Sequence, residues 1–221
     1  MTTPTKLTLA EELLLIALDD ESGRPIDLPP FWLDTALAAA ILMELCLVGR
    51  LDTDPGRLIV VSGEPTGSPI LDDVLAQIVA DPAPHPSGVW IRRVGTRGHE
   101  LREQVTNGLV ARGVLKSVEK RLLWVFKTRA YPPTSGLEEQ EVRSRIMTLL
   151  NNTEIPDPRD ALLVGLLSAT NIIGHLLSKS EAQRLAPRIE QIARLEEISR
   201  ALDASVREIY LSLLAAQYPM A

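Results

Sequence analysis

A single cysteine, Cys46, in 221 residues excludes an internal disulfide framework and any zinc site built on several thiolates. It falls in an apolar helical run and is expected to be a small buried hydrophobe. Aromatic residues make up only 4%, so the core must be built from Leu, Ala, Ile and Val. That mix suits packed helices better than a sheet sandwich. The three histidines, His85, His99 and His175, lie far apart and never at metal-ligand spacing. His175 sits in an apolar stretch and is expected to be a satisfied core residue. Nucleophile elbows, Walker-type phosphate loops and dinucleotide-binding glycine triplets are all missing. Three acid pairs occur, Glu11-Glu12, Asp19-Asp20 and Asp72-Asp73. Neighbours on a helix point about 100° apart and cannot face each other as an acid/base dyad. These pairs are expected to be solvated faces. The chain therefore reads as non-enzymatic, with no cofactor implied.

Membrane-directing signals are also scarce. The opening MTTPTKLTLAEE has no charged segment leading into an apolar stretch and a cleavage site, so a cytoplasmic compartment is expected. The charge-free run from Ala161 to Ser178 just reaches the lower limit for spanning, about 18 residues. Ser168, Thr170, Asn171 and His175 interrupt it, and Asn or His facing lipid is costly. A buried central helix is the expectation.

What is present is ordinary for a globular protein, with 45% apolar and 24% charged residues, enough for one substantial core. One domain over residues 1–221 is expected, with 1–6 flexible. Arginine outnumbers lysine 18 to 5, a compositional mark of a GC-rich bacterial genome. Thr8 and Glu11 read as a capping box opening a helix from Leu9 to Asp19. A second helix, Asp34 to Val48, is apolar nearly all round and should be buried. RLDTDPGRLIVVS reads as a β-hairpin, Ile70 to Ala80 as a third helix, and a short helix surrounds Trp90. A helix from Glu100 to Arg112 precedes a second hairpin. Its strands are expected at Val114 to Val118 and Leu122 to Thr128, with the tip at Glu119 to Arg121. The remainder reads as helices from Leu137 to Leu150, Pro158 to Ser178, Pro187 to Leu202 and Ala204 to Gln217. The two prolines suit first-turn positions. The fold class is mainly α, a compact helical domain with surface β-hairpins.

Charge is unevenly spread. Gly88 to Tyr131 holds ten basic residues against three acids, a net of +7, and the rest carries −13 of the total −6. Such a basic middle suggests one face made for anions, unless its arginines pair with acids of the terminal helices. A helix ending in LVARG before a basic hairpin also matches the layout of a winged-helix nucleic-acid binder. The acidic total and the two glutamates of HELREQVTNGLVARG oppose it.

Several segments, in order, resemble the Golgi phosphoprotein 3 family: LTLAEELLLIALDDESG, the FW of PPFWLD followed by ILMELCLVGRL, SGEPTGSPILDDVL, WIRRVG, LREQVTNGLVARGVL and RDALLVGLLSATNIIGHLL. The resemblance runs from about Leu7 nearly to the C-terminus. It implies a compact helical fold and peripheral binding to an anionic membrane through the headgroup of phosphatidylinositol 4-phosphate. It also implies protein clients and self-association through the 114–131 hairpin, with no nucleic-acid partner. The family's headgroup pocket uses a tryptophan and several arginines. Trp32 matches the tryptophan and Arg102 one of two paired arginines; His99 stands where the other would be. A further arginine on the second helix is replaced by a small residue near Ala38. The resemblance thus assigns Trp32, His99 and Arg102 to headgroup binding. Read alone, Trp32 fits a core position equally well and Arg102 a surface ion pair. Arg92, Arg93, Arg97, Lys127 and Arg129 form the expected basic membrane-facing patch, each basic residue near an anionic bilayer adding roughly 1 kcal/mol. Trp124 and Phe126 share a strand face and are expected to contact protein rather than lipid.

Overall fold

The computed structural model describes residues 6–19, 22–29, 31–54, 57–122, 126–194 and 204–217, and gives the backbone alone at 119–122, 126–129 and 204–206. The expectation of a flexible 1–6 falls mostly on residues 1–5, outside the described residues.

The fold is mainly α, and α2 (Trp32–Leu47) is its spine. Leu37, Ile41, Leu42, Met43 and Leu45 of this helix are fully buried. Burial of each such side chain contributes about 1.5–3 kcal/mol. Packing therefore holds α2 without a side-chain cap, which it lacks. Around it lie α1 (Leu9–Ile16), α3 (Pro69–Ala80), α4 (Ser87–Gly95), α5 (Gly98–Ala111), α7 (Pro158–Ala169) and α10 (Ala204–Gln217). A further helix, α6 (Leu137–Asn151), covers α1 and α7. The capping box is present: the Thr8 hydroxyl accepts from Glu11 N at 3.2 Å, and Glu11 Oε2 accepts from Thr8 N at 2.8 Å. Cys46 is buried, as expected.

Two antiparallel hairpins complete the fold. In the first, β1 (Leu51–Asp54) pairs with β2 (Arg57–Val60) where the sequence placed it. In the second, β3 (Val118–Leu122) pairs with β4 (Phe126–Ala130), with Val118 opposite Ala130 and Leu122 opposite Phe126. Glu119 to Arg121 are thus strand residues and not the tip. Ahead of the ladder, residues 114–116 face 132–134 in the same antiparallel register, with Leu115 bridged to Pro133. Lys116 N donates to Pro132 O, and Thr134 N donates to Val114 O.

Further boundaries differ from expectation: α1 stops at Ile16 rather than Asp19, and two later helices differ more. The long helix from Pro158 ends at Ala169, and Asn171 adopts a left-handed φ of 57°. The chain resumes as the short α8 (Ile173–Leu176). This turn brings His175 to the surface rather than into the core. The last long helix before α10, α9 (Lys179–Ala193), starts eight residues before Pro187, which lies inside it. Ser178 and Glu181 form a second capping box there, with Ser178 N donating to Glu181 Oε2 at 2.9 Å. That signal outweighs the preference of proline for a first turn. The expected end of this helix, 195–202, lies outside the described residues.

Candidate functional site

The loop after α1 is pinned at both ends. Ile26 N donates to Ala17 O at 2.8 Å, and Leu18 pairs with Pro25 as an isolated bridge. Gly23, at φ 63°, lies so close to the exit of the second hairpin that a Cβ would sit 2.7 Å from Pro132 N. Tyr131 N donates to Gly23 O at 2.9 Å. Residues 25–29 are thereby held as a strap in front of α2.

A pocket of about 370 Å³ opens between this strap and the start of α2. Pro25, Ile26, Asp27, Leu28 and Pro29 line one side, and Phe31, Leu33, Asp34 and Arg102 the other. Phe31 caps α2 with φ at 68°, a left-handed conformation rare for an aromatic residue, and its ring is 73% exposed. Its carbonyl accepts from both Thr35 N and Thr35 Oγ1, at 2.9 and 2.7 Å, which holds the turn in place.

Across the pocket, Arg102 Nη1 donates to the carboxylate of Asp34, whose side chain is almost fully buried. The carboxylate rests on Gly98, the first residue of α5, where any Cβ would overlap it. Gly95, at the end of α4, lies against the backbone of Asp34 and Thr35. Two small residues at the α4–α5 elbow thus let α2 approach closely enough for Asp34 to reach Arg102.

The three headgroup residues expected from the sequence are only partly gathered. Arg102 lines the pocket. His99 is exposed one turn before it on α5, and Trp32 is half-buried at the first position of α2; neither lines the pocket. Phe31, the other half of the FW pair, does. Sequence reasoning passed over Phe31 and Asp34, although the FW pair itself was a usable signal for the first.

Two residues of the expected basic patch, Arg93 and Arg97, are paired within the chain. Arg93 donates to Asp81 at 2.6 Å and lies 5.0 Å over the Trp90 ring. Arg97 donates to Glu100 at 2.7 Å and to Asp73 at 3.0 Å. Bonding to Glu100 and then Asp73 raises the guanidinium of Arg97 further above its ordinary value. Arg93 holds Asp81 below the usual carboxylate value, and Arg97 does the same for Glu100. Arg92 is exposed and has no ion-pair partner among the described residues. Lys127 and Arg129 stand on β4, and their side chains, like Trp124 and the side chain of Phe126, lie outside the described residues. On α5 the exposed positions include Glu100 and Glu103, while Arg102 and Arg112 are bound to Asp34 and Glu11. A phosphate-facing recognition helix would need the reverse.

Glu11 and Glu12 are buried, not solvated. Arg112 Nη1 donates to Glu11 at 2.9 Å and Arg145 Nη2 to Glu12 at 2.7 Å. Arg159 joins Glu44 at 2.9 Å and the Leu7 carbonyl at 2.6 Å. This network ties the first turn of α1 to α2, α5, α6 and α7. No group of three or more His, Cys, Asp or Glu side chains among the described residues is placed to hold a metal ion. A larger apolar groove of about 610 Å³ runs between α7, α8, α9 and α10, with Glu190 and Arg194 paired to each other at its rim. It includes none of the expected site residues.

A family model described as Golgi phosphoprotein 3 matches residues 9–209. Vacuolar protein sorting-associated protein 74 of Schizosaccharomyces pombe is 28% identical over 173 residues, covering 68% of this chain and 50% of the relative. The chain thus spans about half the length of the curated relative it matches.

Proposed function

The chain belongs to the Golgi phosphoprotein 3 family, and from that membership we propose that it is a peripheral membrane adaptor that binds the phosphate of an anionic phospholipid headgroup. The family resemblance points to phosphatidylinositol 4-phosphate as that headgroup. It also points to protein clients and to self-association through the 114–131 hairpin. Among the described residues no helix is long and apolar enough to cross a membrane, which fits docking on a surface.

One observation carries the reading: a surface pocket joins a partly exposed arginine fork to an exposed aromatic ring. Arg102 keeps 34% of its side chain accessible. Its planar fork matches phosphate oxygens. Phe31, held outward by its left-handed backbone, is placed to enter the apolar edge of the bilayer beside the headgroup. Trp32 follows it at the headgroup boundary, where an amphipathic ring is favoured. His99, one turn from Arg102 on the same helix face, would add a second contact.

Vesicle co-sedimentation tests this. Neutral vesicles, vesicles carrying phosphatidylinositol 4-phosphate, and vesicles of matched charge from other anionic lipids are compared for wild type, Arg102→Ala and Phe31→Ala. Binding selective for the phosphoinositide is expected. Arg102→Ala should weaken it by about tenfold or more, the loss of a charge-assisted hydrogen bond. Phe31→Ala should weaken it several-fold at unchanged thermal stability, because the ring is mostly outside the fold. Equal binding to all anionic vesicles, unaffected by Arg102→Ala, would replace the pocket with simple charge attraction. No binding to any vesicle would overturn the reading.

A further inference from the structure

The arginine that the pocket offers to a phosphate is already in use. Arg102 Nη1 is bonded to Asp34, and only 8% of the Asp34 side chain is accessible. The carboxylate lies between the guanidinium and Gly98, the first residue of α5. That is where a bound anion gains most, beside an arginine and at the positive end of a helix. Arg97, the residue that caps α5, makes no side-chain capping bond, so Asp34 is the side-chain anion seated there. Asp27 also lines the pocket, giving two carboxylates against one arginine. Among the described lining residues, an incoming phosphate would meet two carboxylates and one guanidinium that is already shared.

Resting on the headgroup reading above, we propose that Asp34 is a built-in competitor for the phosphate. In the lipid-free protein it holds Arg102, and docking exchanges the carboxylate for a phosphate monoester on the same fork. The exchange sets both affinity and selectivity. A dianionic phosphate monoester, with three oxygens, can displace a carboxylate from a guanidinium; the single charge of a phosphodiester is a poorer rival. Anionic lipids that carry only a phosphodiester are therefore rejected. Arg102 is also kept from sitting unpaired when no phosphate is bound.

Asp34→Asn tests the exchange, because the amide keeps the shape that fits against Gly98 while removing the charge. Binding is read with vesicles containing phosphatidylinositol 4-phosphate, vesicles containing phosphatidylserine, and soluble inositol 1,4-bisphosphate titrated calorimetrically. The soluble probe separates headgroup recognition from bilayer contact. Asp34→Asn should bind both phosphate monoester probes about tenfold more tightly than wild type, the scale of freeing one charge-assisted partner. Its preference over phosphatidylserine should narrow. Adding Arg102→Ala should abolish the gain. Asp27→Asn makes the same change in net charge without touching Arg102, and should gain much less. Thermal melts of each variant confirm the fold. If wild type binds but Asp34→Asn binds equally or more weakly, or if Asp27→Asn gains as much, Asp34 is not a competitor and this inference fails alone. If no variant binds either phosphate probe, it fails together with the headgroup reading.

Discussion

A carboxylate as deeply buried as that of Glu12, only 2% accessible, survives in a helical core because two arginines converge on it. Arg145 Nη2 stands 2.7 Å from one oxygen and Arg159 Nε 3.7 Å from the other. Burial nevertheless dominates and raises the Glu12 pKa above 4.5, with Arg145 opposing the rise. The match is incomplete: Glu12 Oε2, Arg145 Nε and Arg159 Nε are buried without a hydrogen-bond partner. Removing one member of a buried pair leaves the other charges stranded. Glu12→Ala is therefore expected to cost roughly 3 kcal/mol. Asp160 and Glu141 beside Arg145, and its partial exposure, hold the loss to the lower end of that class. Urea unfolding measures it, and a loss below about 1 kcal/mol would show the pairing contributes little net. The local sequence gave no warning, since the partner arginine lies 133 residues away. The site shows the same limit. The family resemblance pointed to His99 and Arg102, and helical spacing puts them on one face, but Asp34 meets Arg102 across 68 residues and only because Gly98 has no side chain.

At the scale of elements, expectation and structure part most clearly at α9, where the Ser178–Glu181 capping box outweighs the first-turn preference of Pro187. Both capping boxes, the buried α2 and the first hairpin follow from patterning that acts over a few residues. In the second hairpin the pairing of 114–116 with 132–134 continues the register of β3 and β4, in which Glu119, Lys120 and Arg121 face Arg129, Thr128 and Lys127. The break after α7 is different. Thr170 Oγ1 bonds back to the carbonyls of Leu166 and Leu167, at 2.8 and 3.2 Å, and Asn171 then turns left-handed. Asn tolerates that region better than other residues with a Cβ. Asn171→Ala should therefore destabilise the protein by about 1 kcal/mol, whereas Asn171→Gly should stay within about 0.5 kcal/mol of wild type. Chemical denaturation of the pair distinguishes a backbone requirement from a contact of the amide. If alanine is neutral, the left-handed turn is not what ends α7.

For the molecule as a whole, four of the ten basic residues in the +7 segment are paired inside the fold. Arg93, Arg97, Arg102 and Arg112 are paired with Asp81, Asp73 and Glu100, Asp34 and Glu11. These pairings make stability depend on pH in two opposite ways. Asp81, Glu100 and Glu181 are held below their ordinary values of 3.8, 4.5 and 4.5, by Arg93, Arg97 and Ser178 respectively. Between the lowered and ordinary values the unfolded chain binds more protons, so the stability they provide is present above 4.5 and lost as pH falls through the folded values. Glu12 runs the other way. Its raised pKa means the folded state binds more protons above 4.5, so its contribution is complete below that value and is lost as pH rises. Thermal melts across about pH 3 to pH 7 should therefore show a fall on the acid side from the three exposed carboxylates. Just above 4.5, a shallow decline with rising pH should come from Glu12 alone. Glu12→Gln removes that titration and should flatten the decline while leaving the acid limb in place. If the decline persists in Glu12→Gln, another buried group carries it, and Glu12 is paired well enough to hold its charge without penalty.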